Sequence, residues 1–64
     1  MRLTEFWARM SAAFGAAYVE SLARDQAIPA LGSRTVAEAL AAGEDIKVVW
    51  RAVAETFDVP ARLR

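Results

Sequence analysis

Neither cysteine nor histidine occurs in the 64 residues, and that absence narrows what the chain can be more than anything present in it. A domain this short buries only about 60% of the surface its unfolded chain exposes, and small domains commonly make up the shortfall with disulfides or a structural metal. Disulfides need Cys, and Cys and His are the commonest zinc ligands. The chain must therefore hold itself together by packing amphipathic elements, alone or against a second chain. Its length allows one domain, residues 1–64.

The spacing of the large apolar residues says which elements these are. Leu3, Phe6, Trp7, Met10 and Phe14 recur on one helical face, within an arc of about 100°. Thr4 is positioned as an N-cap with Glu5 in the first turn, so a first helix is expected over residues 4–14, ended or bent by Gly15. A second pattern runs over 16–27, with Tyr18, Val19, Leu22, Ala23 and Gln26 on one side and Glu20, Ser21, Arg24 and Asp25 on the other. Pro29 disfavours helix at Ile28, and Gly32–Ser33 completes a loop.

Thr35 and Glu38 are spaced as a capping box, the Thr oxygen facing the amide three residues on and the Glu reaching back. A short third helix over 36–42 follows, burying Val36 and Leu40 and stopping at Gly43. Asp45 then caps a fourth helix over 46–58, whose stripe is Ile46, Val49, Trp50, Val53 and Phe57; Pro60 cannot continue it. Residues 61–64 read as a loose tail, and strand alternation is not evident. The expected fold is all-α, a compact bundle of about four short helices. Its core comprises Tyr18 and Leu22 with the stripe residues of helices one, three and four.

Several functions are disfavoured. The commonest general base and the best nucleophile are missing, and Ser11, Ser21 and Ser33 have no histidine to activate them. The Glu44–Asp45 pair reads as acids at a helix start, where the dipole favours them. No catalytic, cofactor-binding or metal-ligating residue is assigned, and the chain is expected not to be an enzyme. Seven Arg and one Lys balance eight acids, so there is no global surplus for phosphate. No apolar run approaches the roughly 18 residues needed to cross a bilayer. The opening MRLTEFW lacks the apolar stretch of a signal peptide, and a cytoplasmic location is expected.

Two partner classes remain. Residues 35–57 have the outline of a DNA-binding helix-turn-helix, yet Glu38, Glu44, Asp45 and Glu55 outnumber Lys47 and Arg51 four to two, which repels phosphate. The same outline is also the plainest join between two packed helices. Val48 lies about 150° from the stripe of the fourth helix, beside Ala52 and near Lys47 and Arg51. With Arg34, these residues form the candidate surface for a protein partner. DNA binding is the alternative, and homodimerisation that supplies stability is a third.

The opening MRLTEFWARM, the run Phe14 to Asp25, LGSRTVAEALAAGED and VWRAVAETFDVPAR resemble one small actinobacterial family, a domain of unknown function of about this length. The likeness covers nearly the whole chain and is most specific from Arg34 to Pro60. Members often carry Pro at the position of Ile46, Gly at Ser33 and Cys at Ala54. Ala54 here implies that the Cys is not an obligatory chemical group. The resemblance further implies genes commonly found near those of RecA and its regulator RecX, and hence a setting in recombination and repair with RecA or RecX as candidate partners. It brings no catalytic or ligand residues with it.

Overall fold

The computed structural model describes residues 1–64. Helix α1 (Leu3–Phe14) and α2 (Ala16–Asp25) are followed by a two-residue strand β1 (Ala27–Ile28), a 3-10 turn (Pro29–Leu31) and a second two-residue strand β2 (Arg34–Thr35). Helix α3 (Val36–Ala41), α4 (Ile46–Thr56) and a last 3-10 turn (Ala61–Leu63) complete the chain. The fold is mostly helical but not purely all-α, because β1 and β2 pair antiparallel, Ala27 opposite Thr35 and Ile28 opposite Arg34. Two-residue strands are too short to show an alternation. What makes them is Pro29, which excludes helix at Ile28, and the extended backbone of Thr35, which serves both β2 and the N-cap of α3. No helix is long and apolar enough to cross a membrane.

All fifteen buried residues are apolar, in one cluster. Helix α4 is its centre. Val49, Trp50, Ala52, Val53 and Ala54 are all buried, covering about 200° of its circumference. It meets α1, α3, β1 and the Pro29–Leu31 turn. Phe6 and Met10 of α1, and Val19, Leu22 and Ala23 of α2, fill the other side. The aromatic rings meet edge to face: Phe6 with Trp7 at 5.1 Å, Phe6 with Trp50 at 6.2 Å, and Phe14 with Phe57 at 5.5 Å. That geometry sets the positive ring edge against the negative face.

The third and fourth helices start as their residues dictate. The Thr35 hydroxyl accepts the Glu38 N–H at 3.1 Å, and the Thr35 N–H donates to the Glu38 carboxylate at 2.9 Å, so both halves of the capping box are made. Asp45 caps α4 by accepting the Lys47 N–H at 2.8 Å. Helix α1 differs: it starts one residue early, at Leu3, with Arg2 at the N-cap and no side-chain cap. Thr4 lies inside the first turn. Helix α2 stops at Asp25, short of 27, because the chain must become extended for β1.

Left-handed residues make the stops of α3 and α4. After α3, Gly43 (φ 84°) carries a Schellman turn, in which Glu44 N–H bonds to Ala39 O at 3.0 Å and Gly43 N–H to Leu40 O at 3.1 Å. After α4 the same role falls to Asp58 (φ 53°), with Val59 N–H bonded to Ala54 O at 2.9 Å. Val59 is buried there as the accompanying apolar contact. The tail beyond, expected to be loose, forms the last turn. Arg64 donates from Nε to Val59 O at 2.9 Å and from Nη2 to Ala54 O at 3.3 Å, and its own carbonyl accepts from Arg9 of α1.

The expected core needs two corrections. Tyr18 is 48% exposed and Leu3 47%. Gly15 re-aims α2 so that Val19, Leu22 and Ala23 centre its buried face, leaving Tyr18 about 90° to one side. Leu3 lies on the correct arc, but in the first turn its side chain leans towards the open N-terminal end. Trp7, Phe14, Leu40, Ile46 and Phe57 pack against the core while keeping part of their surface in solvent. Ile28 of β1, Leu31 of the 3-10 turn and Val59 after α4 also join the core, as do Ala39, Ala52 and Ala54.

Two predictions follow from the turns and caps. A Cβ at Gly43 would meet nothing within 4 Å, so Gly43→Ala isolates the backbone penalty of about 1–2 kcal/mol. Asp58→Gly should act the other way, stabilising by up to about 1 kcal/mol; urea midpoints of the two variants check both. The second concerns Glu38, whose carboxyl is held below its ordinary pKa by the Thr35 backbone N–H and then by the Thr35 hydroxyl. A depressed folded pKa gives a contribution that is complete above the unfolded pKa and lost as pH falls through the folded one. The native chain should thus exceed Glu38→Gln in stability at neutral pH, and urea titrations in increasing acid should show that difference closing.

Candidate interaction surface on the last helix

With about 200° of its circumference buried, α4 has a narrow outer face. Lys47, Val48, Arg51 and Glu55 occupy it, all exposed, and together they span about 100° of arc. Val48 is 42% exposed, beside cations rather than under a neighbouring element. Three of the five residues expected at the surface are therefore brought together: Lys47, Val48 and Arg51.

The other two are placed elsewhere. Ala52 is 5% exposed and belongs to the core; a small side chain about 110° from the centre of the apolar stripe is covered because the neighbouring elements wrap α4 so far round. Arg34 braces the loops. Its Nε donates to Leu31 O at 2.9 Å, and its Nη2 lies 3.2 Å from the Glu44 carboxylate. Both partners of that pair keep more than a third of their side-chain surface in water, so it fixes geometry more than it stabilises. Glu44 is thus a brace for the turn before α4, while its neighbour Asp45 is the cap.

Beside the outer face lies an open depression of about 420 Å3, lined by Lys47, Trp50, Arg51, Ala54, Glu55 and Arg64. Steps of three and four along one helix bring the first five together. Arg64 arrives from the opposite direction, carried by the left-handed turn at Asp58 and held by the carbonyls of Val59 and Ala54. The helical repeat of Lys47, Arg51 and Glu55 was open to a sequence reading. Arg64 was not, because its place depends on a non-glycine residue taking φ 53°.

Two electrostatic facts concern the residues that line this depression. The molecule's only ion pair is Arg34–Glu44, so none of Lys47, Arg51 and Arg64 has a carboxylate oxygen within 4.0 Å. Trp50 is 5% exposed, and its Nε1–H is the one buried side-chain polar group without a hydrogen-bond partner. Buried donors are nearly always satisfied.

A family model matches residues 1–62, the whole of this architecture apart from the last two residues. The chain belongs to that family, "Protein of unknown function (DUF3046)". The match takes in every helix of the family member described here, with Lys47, Trp50 and Arg51, and stops short of Arg64. No curated protein and no solved structure matches the chain.

The contrast between Val48 and Ala52 is directly testable. Val48→Ser combined with Arg51→Glu should stay within about 0.5 kcal/mol of the native stability, as surface changes do. Ala52→Leu should cost about 1–3 kcal/mol by overpacking the core. Chemical denaturation of both variants decides whether the outer face of α4 is free of structural duty.

Proposed function

We propose that this protein is a small binding module that docks on another protein through the outer face of α4 and does not turn over a substrate. The observation that supports this most directly is that Lys47, Val48 and Arg51 share one exposed face, and neither cation is in an ion pair. Arg is among the residues enriched at binding hot spots, and Arg51 is exposed on this face. The proposed setting is the cytoplasm of an actinobacterium. There, the gene neighbourhood implied by the sequence resemblance makes a recombination or repair complex, with RecA or RecX as the protein met, the partner of first choice.

A DNA-binding helix-turn-helix is the second reading, favoured by the succession of α3, the Gly43 turn and α4. Against it stand Asp45 at the start of α4, where a recognition helix would approach phosphate, and Glu55 on its outer face. Homodimerisation that supplies stability alone is the third.

Affinity capture from host lysate, with and without nuclease, separates these. The binding-module reading expects a specific protein that survives nuclease and is lost with the Val48→Ser/Arg51→Glu variant. Capture that nuclease abolishes would transfer the reading to DNA. Recovery undiminished by the variant would remove α4 from the interface. A stability that rises with protein concentration would favour the dimer.

A further inference from the structure

The depression beside α4 has a charge that the rest of the chain lacks. Three of the eight cationic side chains line it, against one acidic side chain, Glu55, a local side-chain excess of two (three minus one) in a chain whose side chains sum to zero charge. Lys47 and Arg51 come from successive turns of α4 and Arg64 from the far side. Arg64 is also preorganised. A guanidinium has five N–H donors; the bonds to Val59 O and Ala54 O engage Nε and Nη2 and hold the side chain in place, leaving donors for a ligand. A side chain already fixed loses less freedom when it binds. The Trp50 Nε1–H adds a buried donor without an acceptor in a residue that lines the same depression.

We infer that this depression receives an acidic segment of a partner protein, its carboxylates engaged by Lys47, Arg51 and Arg64 and a neighbouring apolar side chain resting on Val48. The inference rests on the binding-module reading and gives the chemistry of the partner. A carboxylate suits the site because charge-assisted bonds from Arg and Lys are about twice as strong as neutral ones. A nucleic-acid strand suits it less. Such a strand carries a charge at every nucleotide and needs a cationic track along its length, whereas these cations converge on one place. Glu55 stands among them, Asp45 heads the same helix, and Arg34 is already paired with Glu44. A peptide can set one or two carboxylates in the depression and present apolar or neutral groups elsewhere.

Trp50 supplies the readout. In a Trp7→Phe variant it is the sole indole, and Trp7 does not line the depression. The variant is titrated at low and raised salt with three probes: a Glu/Leu peptide, its Gln/Leu counterpart, and oligodeoxythymidylate. The expected result is a saturable change in Trp50 emission with the Glu peptide alone, weakening as salt rises. Adding Lys47→Gln and Arg51→Gln should lower that affinity by about tenfold or more while leaving the urea midpoint in place. Nitrogen-15 spectra of the native chain give a second measurement that needs no Trp7 substitution, with shifts expected at Lys47, Trp50 Nε1, Arg51 and Ala54. Silence towards the Glu peptide at low salt, an equal response to the Gln peptide, or tighter binding of the oligonucleotide would each overturn the inference. If capture from lysate still depends on Val48 and Arg51 while the Glu peptide is silent, the acidic chemistry alone falls. If both fail, the binding-module reading falls with it.

Discussion

The burial of α4 on three sides is the constraint to which everything else in this small fold answers. With no cysteine to close the chain by a disulfide, stability has to come from apolar contact, and one helix of eleven residues supplies five of the fifteen buried residues, more than any other element. Alanine makes this possible. Ala52 and Ala54 let neighbouring elements come close to the α4 backbone, while Val49, Trp50 and Val53 fill the wider gaps. The large apolar residues alone would give α4 a stripe like that of any surface helix. The buried alanines extend that stripe into a wrap, and the wrap leaves an outer face of about 160°, on which Lys47, Val48, Arg51 and Glu55 span about 100°. What the protein can present to a partner there is therefore the remainder of its solution to the packing problem.

Wrapping a helix with so few residues requires abrupt reversals, and these are made with left-handed backbone. Gly15 ends α1 and begins α2 within a single residue, Gly43 turns α3 into α4, and Asp58 turns the chain back after α4. In the last two turns a backbone N–H just past the helix bonds back to a carbonyl in its final turn, so the stop is satisfied as well as sharp. Asp58 costs more than glycine would at that point. In exchange for this strain the chain brings Arg64 across the end of α4, which ties local backbone geometry to the character of the surface.

The amino-acid order made the helical part of this legible. Aromatic and branched residues at helical spacing located all four helices to within a residue or two at most ends. The Thr35–Glu38 box, Asp45 and Gly43 marked starts and stops because each acts on atoms within four residues of itself. What escaped depends on longer-range facts. The pairing of Ala27–Ile28 with Arg34–Thr35 has no periodicity to read. The exposure of Tyr18 follows from how Gly15 redirects α2, and the burial of Ala52 from how far other elements reach around α4. At the candidate surface, Lys47, Val48 and Arg51 were readable from the wheel of one helix. Arg64, from another part of the chain, was not.

Arg64 also joins the far end of the sequence to its beginning. Its carbonyl accepts from Arg9, fifty-five positions earlier, while its side chain grips the end of α4. Any residues that follow Arg64, native or appended, would therefore set out from the rim of the depression. A fusion there would place new chain beside Lys47 and Arg51 and compete with whatever docks on them. A fusion before Met1 enters the fold ahead of α1, whose residues do not line the depression, so the two ends of this chain are unequal places to attach anything.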